Sequence, residues 1–414
     1  MKNSKYYPWF VVGLLWFVAL LNYMDRQMLA TMRPSMETDI PELLSGENFG
    51  RLMAIFLWIY ALMSPISGII ADKFNRKWLI VGSLFVWSAV TYAMGLATTY
   101  NQVYWLRALM GVSEAIYIPA GLSLIADYHQ QKTRSLAIGI HMTGLYVGSA
   151  LGGFGATIAA TYSWHTTFHY FGIAGIIYAV VLAFLLQEKK TVEEKTIDLN
   201  IVTSGEKPSV FQGLALLFTN ISFWIILFYF AIISLPGWAT KNWLPTLFSD
   251  NLGIPMEQAG PLATITISFS SLLGVIFGGI LSDRWVQKNV KGRVYTSAIG
   301  LSLTIPALLL IGFGNSLYHV VGAGLFFGIG YGMFDANNMP ILCQFVSSKY
   351  RGTAYGVLNM TGVACGALVT SLLGKSSDSG DLGYGFALMS GIVLIALVVQ
   401  ISFLRPKVND FVDA

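Results

Sequence analysis

The sequence predicts an all-α membrane protein in which twelve transmembrane helices form two pseudo-symmetric six-helix bundles. Three features lead to this prediction. The 414-residue chain is 55% hydrophobic and only 11% charged, whereas soluble domains carry roughly 25% charged residues. Apolar runs of about 20 residues, the length that crosses a bilayer, recur from end to end. Three polar motifs of the first half also return, in the same order, in the second half.

The apolar runs place the spans in order along the chain. The first run follows Lys2 and Lys5 and lacks a small-residue cleavage site, so we interpret it as a helix and not as a removed signal peptide. The predicted spans of the first half are 9–32, 48–71, 78–98, 102–126, 135–160 and 166–187. Those of the second half are 217–247, 258–281, 294–314, 318–344, 353–374 and 383–404.

The loops between the spans alternate in charge. Lys and Arg concentrate in one set, for example in residues 72–77 and 284–293, whereas the first loop of the other set is acidic. Because positive loops stay in the cytoplasm, both termini are expected there. The polar linker 188–212 then separates an N-terminal bundle, 1–187, from a C-terminal bundle, 213–414.

The internal repeat is clearest at three places. Span 4 reads Gly111-x-x-Glu114-Ala-x-x-x-Pro119, and span 10 reads Gly332-x-x-Asp335-Ala-x-x-x-Pro340. The Gly68-x-x-x-Asp72-Lys motif after span 2 returns after span 8 as Gly279-x-x-x-Asp283-Arg284. Spans 5 and 11 both open with Arg-x-x-Ala-x-Gly. Such a parallel repeat of six spans is an organisation found in transporters.

With these motifs the chain resembles the major facilitator superfamily along essentially its whole length. Residues 68–77, Gly-Ile-Ile-Ala-Asp-Lys-Phe-Asn-Arg-Lys, are similar to the signature loop of that superfamily. In the family this loop braces the cytoplasmic helix ends and acts as a gate. The resemblance therefore implies a cytoplasmic gate at Gly68, Asp72, Arg76, Asp283 and Arg284.

A narrower resemblance lies in spans 1 and 4. The sequences Asn22-Tyr-Met-Asp-Arg26 and Arg107-x-x-x-Gly-x-x-Glu114 are similar to the anion:cation symporter family, which includes sialin and bacterial hexuronate and aldonate transporters. That family moves organic anions, mostly with protons. Asn-Tyr-x-Asp-Arg also occurs in spinster-type lipid transporters, which leaves a lysolipid or amphipath transporter as an alternative. A proton-coupled drug antiporter is a further alternative.

Four charged residues of the first half, Asp25, Arg26, Arg107 and Glu114, lie at least five residues inside the ends of predicted spans. Ionisable groups at bilayer depth cost at least about 2.5–3.5 kcal/mol, so each is a functional candidate, with a structural ion pair as the alternative. We predict that Asp25 and Glu114 carry protons. Arg26 and Arg107 are predicted to bind a substrate carboxylate, because the guanidinium fork matches that group.

Further candidates are distributed over both halves. Lys241 either extends toward the membrane surface or faces the cavity and binds substrate. Asp335, the repeat mate of Glu114, is expected at an equivalent depth and face, as a second proton site or a hydrogen-bonding anchor. Tyrosine phenols and asparagine amides suit a hydroxylated ligand; these candidates are Tyr23, Tyr60, Tyr146, Asn338 and Asn359.

The sequence offers no nucleotide-binding loop, metal cluster or nucleophile–base arrangement, so an enzyme is not expected. Cys343 and Cys365 lie in apolar segments and are read as buried small residues. We expect a monomer in the bacterial inner membrane that imports a small organic anion, such as a hexuronate, aldonate or sialic-acid-like sugar acid, by alternating access. Protons would be the coupling ion, without cofactor, metal or nucleic acid.

Overall fold

The computed structural model describes residues 6–129, 131–188, 215, 217–346 and 350–406, apart from the side chains of residues 72, 131, 132 and 135. Within these ranges, twelve helices are long and apolar enough to cross a membrane, and the chain contains no strand there. The predicted fold class is therefore confirmed. The predicted linker 188–212 lies, except for its first residue, outside the described residues.

The first half contains seven helices in the described residues. They are α1 Tyr7–Met36, α2 Gly46–Lys73, α3 Arg76–Met94, α4 Tyr100–Tyr128, α5 Gln131–Gly152, α6 Gly155–Thr161 and α7 Trp164–Leu185, with a short 3-10 turn at Pro41–Leu44. The described part of the second half contains α8 Ile221–Leu252, α9 Met256–Val286, α10 Gly292–Phe313, α11 Leu317–Cys343, α12 Arg351–Asp378 and α13 Leu382–Phe403. All twelve predicted spans coincide with these helices to within a few residues.

Span 5 departs from its prediction because it is broken into α5 and α6. At the break, Gly153 and Phe154 donate to carbonyls three residues back, at 3.3 and 3.1 Å, which tightens and ends α5. A glycine pair, Gly152 and Gly153, precedes the break and lowers the cost of leaving the helix. A methyl group on Gly153 would lie 2.8 Å from the carbonyl oxygen of Gly260 in α9, so the break lies against the second half.

Side-chain caps determine where several helices begin. Thr99 and Gln102 form a reciprocal capping box at the start of α4. Asn75, Ser163 and Ser316 accept hydrogen bonds from the first turns of α3, α7 and α11. Each cap satisfies a backbone N–H that has no partner within its own helix.

The two halves meet mainly at one end of the molecule. We call the end where α1 finishes and α2 begins the sealed end, and the end that carries Tyr7 and Phe403 the open end. At the sealed end, a methyl on Gly46 of α2 would lie 2.7 Å from the Gly374 carbonyl oxygen of α12. The Thr157 hydroxyl there donates to the Glu257 carbonyl at 2.9 Å.

The contact between the halves extends only part of the way toward the open end. Among the described residues, the hydrogen bond between the halves that lies nearest to that end joins Asn359 and Ser64. Asn359 is eight residues into α12, or about 12 Å from its start at 1.5 Å per residue. The site described next therefore lies between helices that are joined beyond it at the sealed end, and we call the open space between the two halves, to which Asp335 and Tyr355 are exposed, the cavity.

Candidate functional site

An ion pair between α1 and α4 lies at the centre of the first half. The Arg26 Nε donates to Glu114 Oε2 at 2.6 Å, and the Asn22 amide donates to the same oxygen at 3.0 Å. Glu114 is fully buried, whereas the Arg26 side chain keeps 11% of its surface exposed. Asn22 and Arg26 are four residues apart, so one face of α1 carries both donors. The carboxylate is thus held from one side by α1.

Aromatic rings surround the Arg26 guanidinium. Its central carbon lies 4.9 Å from the ring centroids of Tyr23 and Phe56 and 4.7 Å from that of Tyr60. A cation over aromatic faces is stabilised by the ring quadrupole, by about 2 kcal/mol or more where water is excluded. These rings keep the charge at the edge of the central cavity without neutralising it.

Asp25, next to Arg26 in sequence, points into the interior of the first half. It is 7% exposed, and the Thr91 hydroxyl of α3 donates to its Oδ2 at 2.8 Å. It lies with Trp87 and Phe171 where α1, α3 and α7 pack together. Adjacent helical residues point in directions about 100° apart, which explains why Asp25 and Arg26 do not face the same space.

Arg107 is buried beside this cluster and does not reach the cavity surface. Its side chain is 3% exposed, lies 4.6 Å from the Phe56 ring centroid and places Nη1 3.0 Å from the Met110 sulfur. It interacts electrostatically with Glu114 and Asp25. The structure therefore places Arg107 behind Phe56, where it balances charge within the first half.

The hydrogen bonds of the cluster are incomplete. Within the described part of the chain, Asp25 Oδ1, Arg26 Nη2, Arg107 Nε and Glu114 Oε1 are buried without a hydrogen-bond partner. Buried polar groups are normally satisfied, so unsatisfied ones indicate strain or function. The two free oxygens can each take a proton, and the two free nitrogens can each donate to an acceptor.

The second half contributes a cation from α8. The Lys241 ammonium lies 4.7 Å from a Trp238 ring centroid and 5.7 Å from that of Tyr23. The Gln27 amide donates to the Lys241 carbonyl at 2.7 Å, which ties α1 to α8. Lys241 therefore faces α1 and the cavity rather than extending toward the membrane surface.

Asp335 of α11 is exposed between helices of both halves. The Tyr146 hydroxyl of α5 donates to Oδ2 at 3.5 Å, and the Asn338 amide donates to Oδ1 at 3.2 Å. Lys241 interacts with it electrostatically. The repeat predicts a depth and helix face equivalent to those of Glu114, but the surroundings of the two carboxylates differ. Glu114 is enclosed by the donors of α1, whereas Asp335 lies open to the cavity.

The sequence analysis missed three residues of the site, which are Tyr331, Tyr355 and the Glu114 partner Asn22. Tyr331 and Tyr355 lie near Asp335 and Tyr23, so phenols of both halves surround the cavity. Each lies four residues before a predicted site residue, Asp335 and Asn359, and helical spacing could have placed both on the same face. The same spacing relates Asn22 to Arg26. Asn359 itself donates to the Ser64 hydroxyl at 2.7 Å, across the halves.

The predicted gate residues lie at the open end. Arg76 forms an ion pair with Asp127, and Arg293 lies 3.8 Å from Asp283, so each pair joins helices of the same half. Gly68 has open space around it, and Arg284 is exposed. The Asp72 side chain lies outside the described part of the structure.

The comparison with known protein families identifies the fold. The profile described as "Major Facilitator Superfamily" matches residues 15–370 and 268–411. The chain belongs to the major facilitator superfamily. As a member of this superfamily, it is a transporter and not an enzyme.

Similar proteins support the same assignment. A hexuronate transporter of Bacillus subtilis (strain 168) is 24% identical over 414 residues, covering 96% of this chain and 95% of its own. Protein spinster homolog 1 of Xenopus laevis is 28% identical over 377 residues, covering 83% and 68%. The crystal structure of a bacterial homolog of the human lysosomal transporter spinster, inward-facing and unoccupied, superposes with a TM-score of 0.82, 19% identity and coverage of 98% and 100%. That structural similarity shows the major facilitator fold.

Proposed function

We propose that this major facilitator protein is a proton-coupled symporter that imports a small organic anion of the sugar-acid type by alternating access. The chain is similar to a hexuronate transporter over nearly its full length. The Arg26–Glu114 pair at the edge of the cavity is the observation that carries the proposal. Arginine suits a carboxylate because its planar fork donates two parallel hydrogen bonds.

The pair couples proton and anion through competition for one guanidinium. While Glu114 is ionised, Arg26 donates to it at 2.6 Å and is poorly available to another carboxylate. Protonation of Glu114 removes that attraction and frees the Nε donor of Arg26, which together with the unpartnered Nη2 can bind the substrate carboxylate. The incoming anion then replaces the carboxylate that the proton has neutralised, so the cavity binds proton and anion together.

Asp25 is proposed as a second proton carrier, and Arg107 as the charge that balances it. Asp25 has one hydrogen-bonded oxygen and one without a partner among the described residues. The ionised cluster of Asp25, Arg26, Arg107 and Glu114 has no net charge. Each proton it takes makes the first half more positive and thereby increases the attraction for an anion. Lys241 adds a cation from the second half.

The proposal also includes the oligomeric state, the membrane, the orientation in it, the coupling ion and the gate. We propose that the protein works as a monomer in the bacterial inner membrane, with both termini cytoplasmic and the open end facing the cytoplasm. Protons are its coupling ion. The gate predicted around Asp72 and Arg76 would close the open end when the two halves rock. The linker between residues 1–187 and 213–414 would join the two bundles.

Uptake into proteoliposomes tests this function. Labelled glucuronate should accumulate when the interior is alkaline, and a protonophore should reduce accumulation to equilibration. Glu114→Gln should strongly reduce gradient-driven accumulation while leaving exchange of substrate across the membrane, because one of the two proposed proton sites is lost but Arg26 is free. Glu42→Gln, an exposed acid outside the spans, serves as the control. Full accumulation by Glu114→Gln would remove Glu114 from the mechanism.

A lysolipid transporter is the second candidate, and similarity to a spinster homolog favours it. Its cavity would also be expected to be rich in aromatic rings, as here around Arg26 and Asp335. The same proteoliposomes should therefore be assayed with labelled lysophosphatidylcholine and with sialic acid. Saturable uptake of the lysolipid alone would overturn the proposal of a sugar-acid substrate. Sugar-acid uptake that does not depend on the pH gradient would overturn the proposal of proton coupling.

A further inference from the structure

An exposed carboxylate in a cavity that is proposed to bind anions requires an explanation. Asp335 lies among residues of α1, α5, α8 and α12, because the Tyr146 hydroxyl donates to it and Tyr23, Lys241 and Tyr355 lie nearby. It is nevertheless exposed, so the space between these helices is open to it. Asp335 therefore presents a negative charge to any ligand in this space.

The charges in the cavity are arranged along its axis. Lys241 is eleven residues from the sealed end of α8, or about 16 Å, and Arg26 is ten residues from the sealed end of α1, or about 15 Å. Asp335 is eighteen residues from the sealed end of α11, or about 27 Å. Both cations thus lie deeper, and the carboxylate lies about 10 Å closer to the open end.

The surroundings of Asp335 leave it able to accept further hydrogen bonds. Each oxygen has one donor among the described residues, Tyr146 at 3.5 Å and Asn338 at 3.2 Å. A carboxylate has about four acceptor positions, so at least one position on each oxygen stays available. A ligand hydroxyl can fill such a position, whereas a ligand carboxylate cannot.

We propose that Asp335 determines substrate specificity: it accepts hydrogen bonds from hydroxyl groups at the far end of a monocarboxylate and rejects anions with a second carboxylate there. This inference rests on the proposed organic-anion transport and adds to it a restriction on substrate class. The ligand carboxylate lies toward Arg26 and Lys241, and its hydroxylated end lies toward Asp335. A dicarboxylate of the same length brings two like charges together, which discriminates against it by repulsion.

Binding can be measured separately from transport. Ligand-induced thermal stabilisation of the purified protein in detergent reports affinity, because a ligand that binds only the folded state raises the unfolding temperature. Three probes share one carbon-chain length: glucuronate, glucarate with carboxylates at both ends, and hexanoate without hydroxyls. We expect the unmodified protein to bind glucuronate at least about tenfold more tightly than glucarate or hexanoate.

The variant Asp335→Asn removes the charge and keeps the size of the side chain. Its preference for glucuronate over glucarate should fall by at least about tenfold, because the repulsion is gone. Asp335→Glu should retain the preference, since it restores the charge. Asp381→Asn, an exposed acid at the start of α13 and outside the cavity, should leave all three affinities unchanged.

Two results would overturn the specificity role of Asp335. One is equal binding of glucuronate and glucarate by the unmodified protein. The other is an unchanged preference in Asp335→Asn when that variant folds and still binds glucuronate. Selective binding without any proteoliposome uptake would instead contradict the proposed transport function and support the role of Asp335, so the two failures are distinguishable.

Discussion

Oδ1 of Asp378, the last residue of α12, accepts a 2.5 Å hydrogen bond from the backbone N–H of Gly46, the first residue of α2. Its Oδ2 accepts two more, from the Ser45 hydroxyl at 3.0 Å and the Glu47 backbone at 2.9 Å. One carboxylate of the second half thus caps a helix of the first half. The cap satisfies N–H groups that have no partner within α2 and places a negative charge at the helix N-terminus.

The Asp378 cap must break when the sealed end opens, so its removal should favour opening. We expect Asp378→Ala to shift the sealed–open equilibrium by about 1 kcal/mol, or roughly fivefold, as the loss of a helix cap does. Spin labels at Glu42 and Tyr318, both exposed, would report the distance between the halves in a variant lacking Cys343 and Cys365. Asp381→Ala is the control, and an unchanged distance distribution in Asp378→Ala would refute the role of the cap.

The backbone contact between Gly46 and Gly374 should not tolerate a side chain. A methyl at Gly46 would lie 2.7 Å from the Gly374 carbonyl oxygen, and such overpacking costs typically about 1–3 kcal/mol. Gly46→Ala should therefore lower the thermal stability of the sealed conformation. Gly13→Ala, which adds a methyl where no atom lies within 4 Å, should not. Equal melting temperatures for the two variants would contradict this prediction.

Replacing Arg26 by lysine should impair anion binding although the charge is kept. An ammonium cannot donate in a planar fork, and it fits less well among the rings of Tyr23, Phe56 and Tyr60. We expect glucuronate affinity, measured by calorimetry, to fall at least about tenfold. Arg51→Lys provides a matched control, because Arg51 is 56% exposed and, among the described residues, forms its ion pair within α2, with Glu47. Affinity within twofold of the unmodified protein would exclude Arg26 as an anion ligand.

Glu188 should stabilise the open end of the first half. Its carboxylate accepts hydrogen bonds from the backbone N–H groups of Arg76 at 3.2 Å and Lys77 at 2.8 Å, the first residues of α3. Glu188→Ala should reduce stability by about 1 kcal/mol through loss of this cap. Thermal unfolding in detergent would show a lower midpoint, while Glu188→Asp should recover part of it. A midpoint unaffected by Glu188→Ala would show that solvent replaces the carboxylate.

The spans were predictable because each crossing of the bilayer requires about 20 apolar residues, and each segment satisfies this requirement within its own sequence. The break at Gly153 was not, since it depends on how closely α9 approaches. The Arg26–Glu114 pair illustrates the same limit. Sequence spacing showed that Asp25 and Arg26 point in different directions, but not which helix lies beside each. Their separate surroundings, Thr91 for one and Glu114 for the other, follow from packing.

The surroundings of two acidic residues, Asp335 and Asp378, could not be predicted from the sequence pattern. Asp335 and Glu114 occupy equivalent positions in the repeat, yet only Glu114 is covered by the donors of α1. Asp378 lies at a helix end, where an acid is usually solvated. Its partner Gly46 is 332 residues away in sequence, so no local signal relates the two. The sequence pattern located the charged residues, whereas tertiary packing determines which groups they contact.

The broken fifth span determines how far different parts of the molecule can travel. The tip α6 contacts both halves, since Ala156 donates to the Thr31 hydroxyl at 3.2 Å and Thr157 to the Glu257 carbonyl at 2.9 Å. Because these contacts lie at the sealed end, which must open as the open end closes, the halves rock about a pivot between the two ends, and each group moves in proportion to its distance from that pivot. The loops at the open end would sweep the widest arc, while Arg26 and Lys241 would shift much less. A bound anion would therefore stay in contact with Arg26 and Lys241 while the open end of the cavity closes.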